Sequence, residues 1–491
     1  MAISKEVFFL DPEARGSKQS QIQQIVAAAI LSGRFRPGDK LPSSRGLARH
    51  LGVARITVTL AFNELVAEDY LTPRGRSGYY VSENAPIPTQ PPPGPAERDV
   101  VDWSRALRRR YSGHPAVEKP LDSHRYPYPF VYGQADATLF DHAAWRLCAH
   151  EALSRREFDS LTLDYAEHDD PELVEFIASH TLPRRGILAR REQILITVGA
   201  QNALWLAAQV LCGPGATVAH EDPVYAGIRD IVRASGASRR PVPVDEDGLN
   251  PAALPDPVDV VFVTPSHHSP TTVTMPLARR RELLRQASEG DFLIIEDDYE
   301  FEMSFLAPPS PALKSLDEEG RVIYAGSFSK SVFPGLRLGY LVGSEPFIRE
   351  ARALRTTILR HPPGHMQRTT AHFLAKGHYD ALIRRMRAAY AERHATALEA
   401  FAEHGLQIAG RAAFGGSSFW MRAPESVNAQ QLAHRLRGDG VLIDPGHPFF
   451  EGPAPPRNFF RLGYSSIPAR SIPQGIAHIA RAIAELDRAA G

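Results

Sequence analysis

Residues 327–340 read SFSKSVFPGLRLGY, and the lysine among them decides how the rest of the chain is understood. Lys330 follows the apolar run VIYAGSF, lies between Ser329 and Ser331, and precedes a Pro-Gly turn. The chain holds 56 Lys and Arg residues, and only seven are lysines, at positions 5, 18, 40, 119, 314, 330 and 376. Where arginine is so dominant, a lysine framed by serines at a strand end points to chemistry of its amine. A partly desolvated lysine amine condenses with an aldehyde cofactor to form a Schiff base. Arg337, past the turn, is placed to swing back toward an anion.

Working outward, the flanking segments supply what such a cofactor needs. The runs QILITVG, TVAHED, VDVVFVTP, FLIIEDD and VIYAGSF are short and mostly apolar along their length, and they alternate with helical stretches. That pattern predicts a mostly parallel sheet covered by helices on both faces. A phosphate seeks N–H donors at a helix start. TVGAQNALWLAAQVL offers a strand, Gly199, and a first helical turn with Ala200 and Gln201; Ser327 and Arg337 add a hydroxyl and a guanidinium. A pyridine nitrogen needs a carboxylate to stay protonated, and Asp297 lies at the end of FLIIEDD, where the C-terminal ends of strands build ligand crevices. Tyr299 is positioned to reach the ring's phenolate oxygen, and Tyr225 in EDPVYAG to stack on its face. The cofactor that requires all of these is pyridoxal 5′-phosphate (PLP).

The N-terminal region is of another kind. Residues 20–32 and 54–68 carry apolar side chains at helical spacing, and Ser43 caps a helix between them that ends at Gly52. YLTPRGRSGYYVS then alternates around glycines as a small hairpin. Residues 40–60 contain Lys40, Arg45, Arg49 and Arg55 and no acid. Two helices joined by LGVA, with Arg55 and Thr57 at the head of the second, fit a helix-turn-helix that enters the major groove N-terminus first. Lys40, Ser43, Arg45, Arg55 and Thr57, with Arg74 and Arg76 on the hairpin, are the candidate contacts to double-stranded DNA.

Between the two lies APIPTQPPPGPAER (85–98), an extended, semi-stiff tether by composition. The chain is expected to divide into a winged helix at 17–84, a linker at 85–115 and a cofactor domain at 116–491. A net charge of zero means that any nucleic-acid partner is met by local clusters. Cys148 and Cys212, the only cysteines, exclude a disulfide framework and fit a reducing cytoplasm. The best apolar run, 203–212, is about half a membrane span, so no membrane association is expected. His267 and His268 lack a carboxylate or cysteine at ligand spacing, so no metal is expected.

LSGRFRPGDKLPSSRGLARHLGVARITVTLAFNELVAEDYL resembles the GntR-type winged helix, departing from it at Ala54, where a serine cap is usual, and Asp69, where glycine is. FVYGQADATLFDHAAWR, ILITVGAQNALWL, HEDPVYAGIRD, TPSHHSPTTVTMPLARR, IIEDDYEFE and SFSKSVFPGLRLGY resemble the fold-type I aminotransferases. A large mostly parallel α/β/α domain with a smaller C-terminal α/β lobe, behind a winged helix, is the architecture of the MocR/GabR regulators. The resemblance implies Lys330 as the Schiff-base lysine, Asp297 as the ring-nitrogen partner, Tyr299 as the O3′ contact and Tyr225 as the stacking ring. It also implies a phosphate site from Ser327, Arg337 and residues 199–201, with Tyr165 reaching the phosphate in the neighbouring subunit of a homodimer. Arg461 in FFRLGYSS is implied as the grip on a ligand's acidic end. Asp170, Ser269 and Thr272 depart from the aminotransferase pattern, which bears on turnover and ligand identity.

The function expected is a cytoplasmic transcription regulator that senses a small amino compound by exchanging Lys330 for the compound's own amine, giving an external aldimine. The SHHSPTT tract and the MAIS…FFLDP opening are similar to the taurine-regulator subgroup; a γ-aminobutyrate-like ligand is the other candidate. Two alternatives stand beside this: a working aminotransferase with a DNA-binding appendage, and a regulator of PLP synthesis that senses PLP itself.

Overall fold

The computed structural model describes residues 2–11, 16–86, 101–108, 110–112, 120, 122–133, 136–162, 164, 167–410 and 413–490, the side chains of residues 76 and 160 aside. The chain falls into two compact units that divide between Tyr111 and Ser112. Of the Pro-rich tether, residues 87–98 lie outside the described residues.

In the smaller unit three helices, α1 (Lys18–Leu31), α2 (Ser44–Leu51) and α3 (Arg55–Ala67), precede a hairpin of β1 (Leu71–Pro73) and β2 (Tyr79–Val81). Several boundaries have a local cause. The Ser17 and Ser43 hydroxyls accept the N–H groups of Ser20 and Gly46, each at 3.1 Å, and Gly52 ends α2 in the left-handed region at φ 62°. At α3 the residue before the first turn is Ala54, and no side chain caps it. Ile22, Val26, Leu47, Val58, Phe62 and Leu65 bury the three inner stripes against one another.

This core also takes in residues ahead of position 17. Phe8 is fully buried in it, with Ile3 and Leu10 packed alongside. Ala2 forms a parallel bridge to Lys40, the Ile3 N–H donates to the Lys40 carbonyl at 2.8 Å, and Lys40 also bridges Tyr80 of the hairpin. A single buried phenylalanine without periodic neighbours gives no pattern to read in the sequence.

The larger unit is built on an eight-stranded sheet. Its strands in chain order are β3 (Ile194–Thr197), β4 (Thr217–Asp222), β5 (Ser238–Asp245), β6 (Gly248–Leu249), β7 (Val260–Val263), β8 (Leu293–Asp298), β9 (Val322–Ser327) and β10 (Gly339–Val342). In space the order is β3-β10-β9-β8-β7-β4-β5-β6, with parallel pairing from β9 through to β5 and β10 antiparallel to both of its neighbours. Neighbouring residues on one strand enter different cores. Ile295, Phe262 and Ile323 join the helices α4 (Gly199–Leu211), α5 (Ala226–Ser235) and α7 (Glu345–Leu359) on one face. Ile294, Val261 and Val322 join α6 (Leu277–Glu289) on the other. Burial on both faces is why successive residues of these strands are apolar rather than alternating with polar ones.

The C-terminal lobe has a four-stranded antiparallel sheet of β11 (Gln407–Ile408), β12 (Ser418–Arg422), β13 (Asp444–Pro445) and β14 (Phe459–Gly463), ordered β11-β12-β14-β13. The helices His378–His404 and Ile472–Ala490 pack on one another and share a core with it. Among the described residues no helix is long and apolar enough to cross a membrane.

Candidate functional site

The parallel strands end at one edge of the large sheet, and most of the predicted cofactor residues are gathered there. Asp297 lies in β8 opposite Ala325 of β9, Ser327 ends β9, Gly199 follows β3, and Tyr225 follows β4. Lys330 stands three residues past β9, half-buried. Arg337, in the left-handed region at φ 52°, reverses the chain so that its guanidinium returns to the Gly199 turn, Nη2 donating to the Val198 carbonyl at 3.4 Å. Gly199 has φ 77°, the left-handed region that favours glycine, and a Cβ there would sit 3.0 Å from Arg337 Nη2 and crowd the guanidinium. The Ser327 hydroxyl accepts the Ser329 N–H at 3.1 Å, and the Tyr225 hydroxyl donates to Gln201 Oε1 at 2.9 Å.

Asp297 is the electrostatic centre of this edge. It is 4% exposed and one of its carboxylate oxygens, Oδ1, has no hydrogen-bond partner. Burial, with Asp298 and Glu221 adding negative charge, pushes its carboxyl up to about 8, against the pull of Lys330. A buried carboxyl without a donor is costly unless a cationic or N–H partner comes to it, and a protonated ring nitrogen is such a partner. Tyr225 keeps 39% of its surface in solvent, and Asp297, Arg337 and Arg461 all lie close enough to act on its hydroxyl.

The expected acid-gripping residue comes from the other lobe. Arg461 on β14 is directly opposite Asp444 on β13 and donates to Asp444 Oδ2 from Nη2 at 3.0 Å and from Nε at 3.2 Å. Its guanidinium lies 3.9 Å from the centre of the Tyr132 ring and 4.7 Å from that of Phe449. Lys330 Nζ lies 4.1 Å from the centre of the same Tyr132 ring, so one aromatic side chain links the two cations. Tyr132 and Tyr299 are both buried and lie close enough for each hydroxyl to act on the other. At Gly463 a Cβ would come within 2.6 Å of the Tyr132 backbone, so this close approach of the two segments depends on a glycine.

Sequence reasoning missed Tyr132, Asp444 and Phe449. Tyr132 lies in FVYGQADATLFD, a stretch whose resemblance is visible but whose tyrosine carries no assigned role in it. Asp444 is detectable only through strand register. His267 and His268 do meet carboxylates, though from elsewhere in the chain: Glu300 and Glu221, each at 3.4 Å. Among the described residues no group of three or more His, Cys, Asp or Glu is arranged to hold a metal ion. Tyr165 lies outside the described residues.

On the smaller unit Lys40, Arg45, Arg49, Arg55 and Arg74 are all exposed. Arg55 Nε reaches Ser44 Oγ at 3.4 Å, tying the head of α3 to the head of α2. Lys40 and Arg74 approach the Tyr80 ring at 5.7 and 4.6 Å, which joins the turn before α2 to the wing. Ser43 is engaged as the helix cap, Thr57 is half-buried in the first turn of α3, and the side chain of Arg76 lies outside the described residues.

Residues 18–81 match the family of bacterial regulatory proteins of the gntR type, and residues 144–479 match aminotransferase class I and II. The chain is 57% identical over 483 residues to the HTH-type transcriptional regulator TauR of Rhodobacter capsulatus, spanning 98% of this chain and 100% of that one. It is 30% identical over 490 residues to the probable rhizopine catabolism regulatory protein MocR of Rhizobium meliloti, spanning 97% and 96%. Among solved structures, the α-aminoadipate aminotransferase LysN of Thermus thermophilus, complexed with N-(5′-phosphopyridoxyl)-L-leucine, superposes with a TM-score of 0.69 at 27% identity, over 79% of this chain and 99% of that one. The chain belongs to the MocR type of transcriptional regulator, in which a gntR-family DNA-binding domain precedes an aminotransferase-like domain.

Proposed function

We propose that this regulator holds PLP at Lys330 and uses it to sense a small amino compound with an acidic end, taurine-like or γ-aminobutyrate-like, in the cytoplasm and as a homodimer. The observation that carries this reading is the partnerless oxygen of buried Asp297, facing an edge that also gathers Lys330, Tyr225 and the Arg337–Gly199 turn. Those residues fit the group. Asp297 would hold the ring-nitrogen proton, Tyr225 would cover the ring, and Arg337, Ser327 and the N–H groups of Ala200 and Gln201 would hold the phosphate. When bound, PLP supplies an aldehyde that exchanges one amine for another and a ring that withdraws electrons.

The chain's own residues do the rest. Tyr132 lies against both Lys330 and Arg461, so a ligand with an amine at one end and an acid at the other has a cation at each pole. Asp444 fixes the guanidinium plane, so that only an acid arriving in that plane meets two donors. Displacing the Lys330 amine alters the charge against Tyr132 and Asp297. A ligand then shifts DNA binding only by the difference in its affinity for the two states of the protein.

The test starts with purified full-length protein incubated with PLP, reduced with borohydride and digested. A pyridoxyl label on Lys330, absent from Lys330→Ala, supports the reading; a protein that takes no label overturns it. Taurine and γ-aminobutyrate are then titrated while cofactor absorbance and duplex binding are followed together. The likeness to LysN favours a second reading, a working aminotransferase. Steady turnover of either amine with a keto acid, and no change in DNA binding, would replace the first with the second.

A further inference from the structure

The recognition helix is apolar on two sides and only one of them is covered. Val58, Ala61, Phe62 and Leu65 of α3 face the core. On the opposite side Ile56 and Leu60 keep 62% and 45% of their surface in solvent. Four residues apart, they lie one helical turn from each other on a single face. Single exposed apolar residues are ordinary on protein surfaces, but these two form a pair within a stretch whose charged side chains are all cationic. Arg55 adjoins Ile56, Arg45 and Arg49 are exposed on α2, and no acid occurs between residues 40 and 60. A surface with that charge suits a polyanion, and a polyanion that also presents an apolar group in a groove wide enough for a helix is duplex DNA. In the major groove the thymine C5-methyl is that group.

We infer that Ile56 and Leu60 read thymine methyls in the operator, with Arg55 and its neighbours fixing the helix on the phosphates. The inference rests on the DNA-binding reading of this module and adds to it the base that is read. Ile56 is in the first turn of α3, the end that enters the groove first in a helix-turn-helix, and Leu60 follows one turn deeper along the same face. The reading therefore demands that the thymines lie a few base pairs apart within one half-site.

Duplexes enriched from a random-sequence pool by the full-length protein are resynthesised with deoxyuridine replacing each thymidine singly, which removes only the methyl. Affinities are measured by fluorescence anisotropy at fixed salt. One or two positions in each half-site should weaken about four-fold, the equivalent of ~0.8 kcal/mol for one buried methyl. Ile56→Ser should bind the thymine duplex more weakly and become indifferent to deoxyuridine at one position, whereas Ile56→Thr, which keeps a methyl, should retain part of the discrimination. Leu60→Ser should do the same at another position. Unchanged salt-dependent binding to unrelated DNA shows that each variant is folded. If every deoxyuridine duplex binds as its parent does, thymine reading is wrong while DNA binding stands. If no duplex is enriched, the DNA-binding reading itself fails and takes the inference with it.

Discussion

Replacing Asp297 with asparagine should make the cofactor-free protein more stable, and increasingly so as pH rises. The carboxyl has an ordinary value of 3.8 and is pushed up to about 8 in the fold by burial and by Asp298 and Glu221. The folded state therefore keeps a proton that the unfolded state has released. For a group raised in this way, stability is fully present below the unfolded value and is lost as pH rises toward the folded one. Each pH unit in that window corresponds to about 1.4 kcal/mol, so between pH 5 and pH 7 the wild type loses about 2.7 kcal/mol through this residue alone. The asparagine side chain cannot ionise, so Asp297→Asn lacks that slope. Urea unfolding followed by tryptophan fluorescence measures it, since Trp145, Trp205 and Trp420 all lie in the larger unit. Subtracting the variant's curve from that of the wild type removes the titration of Glu296 and Glu302, which burial also pushes up to about 7. With PLP added the order should reverse, because the ionised carboxyl gains a partner that asparagine serves poorly. Parallel pH profiles for the two cofactor-free proteins would refute the reasoning.

Arg461→Met should destabilise the protein by about 3–5 kcal/mol by leaving the buried Asp444 carboxylate without its cation, and Arg461→Met with Asp444→Asn should recover most of it in the same urea assay. Both variants should lose the preference for amines that carry an acidic end over those that do not, read from cofactor absorbance. Gly199→Ala should lower PLP affinity about ten-fold, from a left-handed strain of ~1–2 kcal/mol and from crowding against Arg337, measured by absorbance titration. Ala54→Ser supplies the missing cap of α3 and should stabilise its first turn by about 1 kcal/mol, seen as slower hydrogen exchange in peptides covering residues 54–58.

What was legible in the sequence followed from local rules. Burial on both faces wrote apolar runs into VVFV and into the first half of LIIEDD, and serine caps with a left-handed Gly52 marked helix ends of the smaller unit. The positions of Lys330, Asp297, Tyr225 and Gly199 were readable because each lies near or just past the end of a strand, and strand ends of a parallel sheet share one edge. The antiparallel insertion of β10 was not readable, since GYLV is as apolar as its parallel neighbours. Nor was the Asp444–Arg461 pair, which exists through cross-strand register between segments of unlike composition. Tyr132 touches Lys330 only because the chain passes β14 at Gly463, a contact between parts of the sequence far apart.

The attachment of Ala2 and Ile3 to Lys40 has a practical consequence for anyone handling this protein. An affinity tag or fluorescent protein joined ahead of Ala2 would leave from a strand position beside the wing, within reach of the cations on Lys40 and Arg74, and would crowd an incoming duplex. The last turn of Ile472–Ala490 is exposed and belongs to the other unit. Labels for pull-down or single-molecule work belong there.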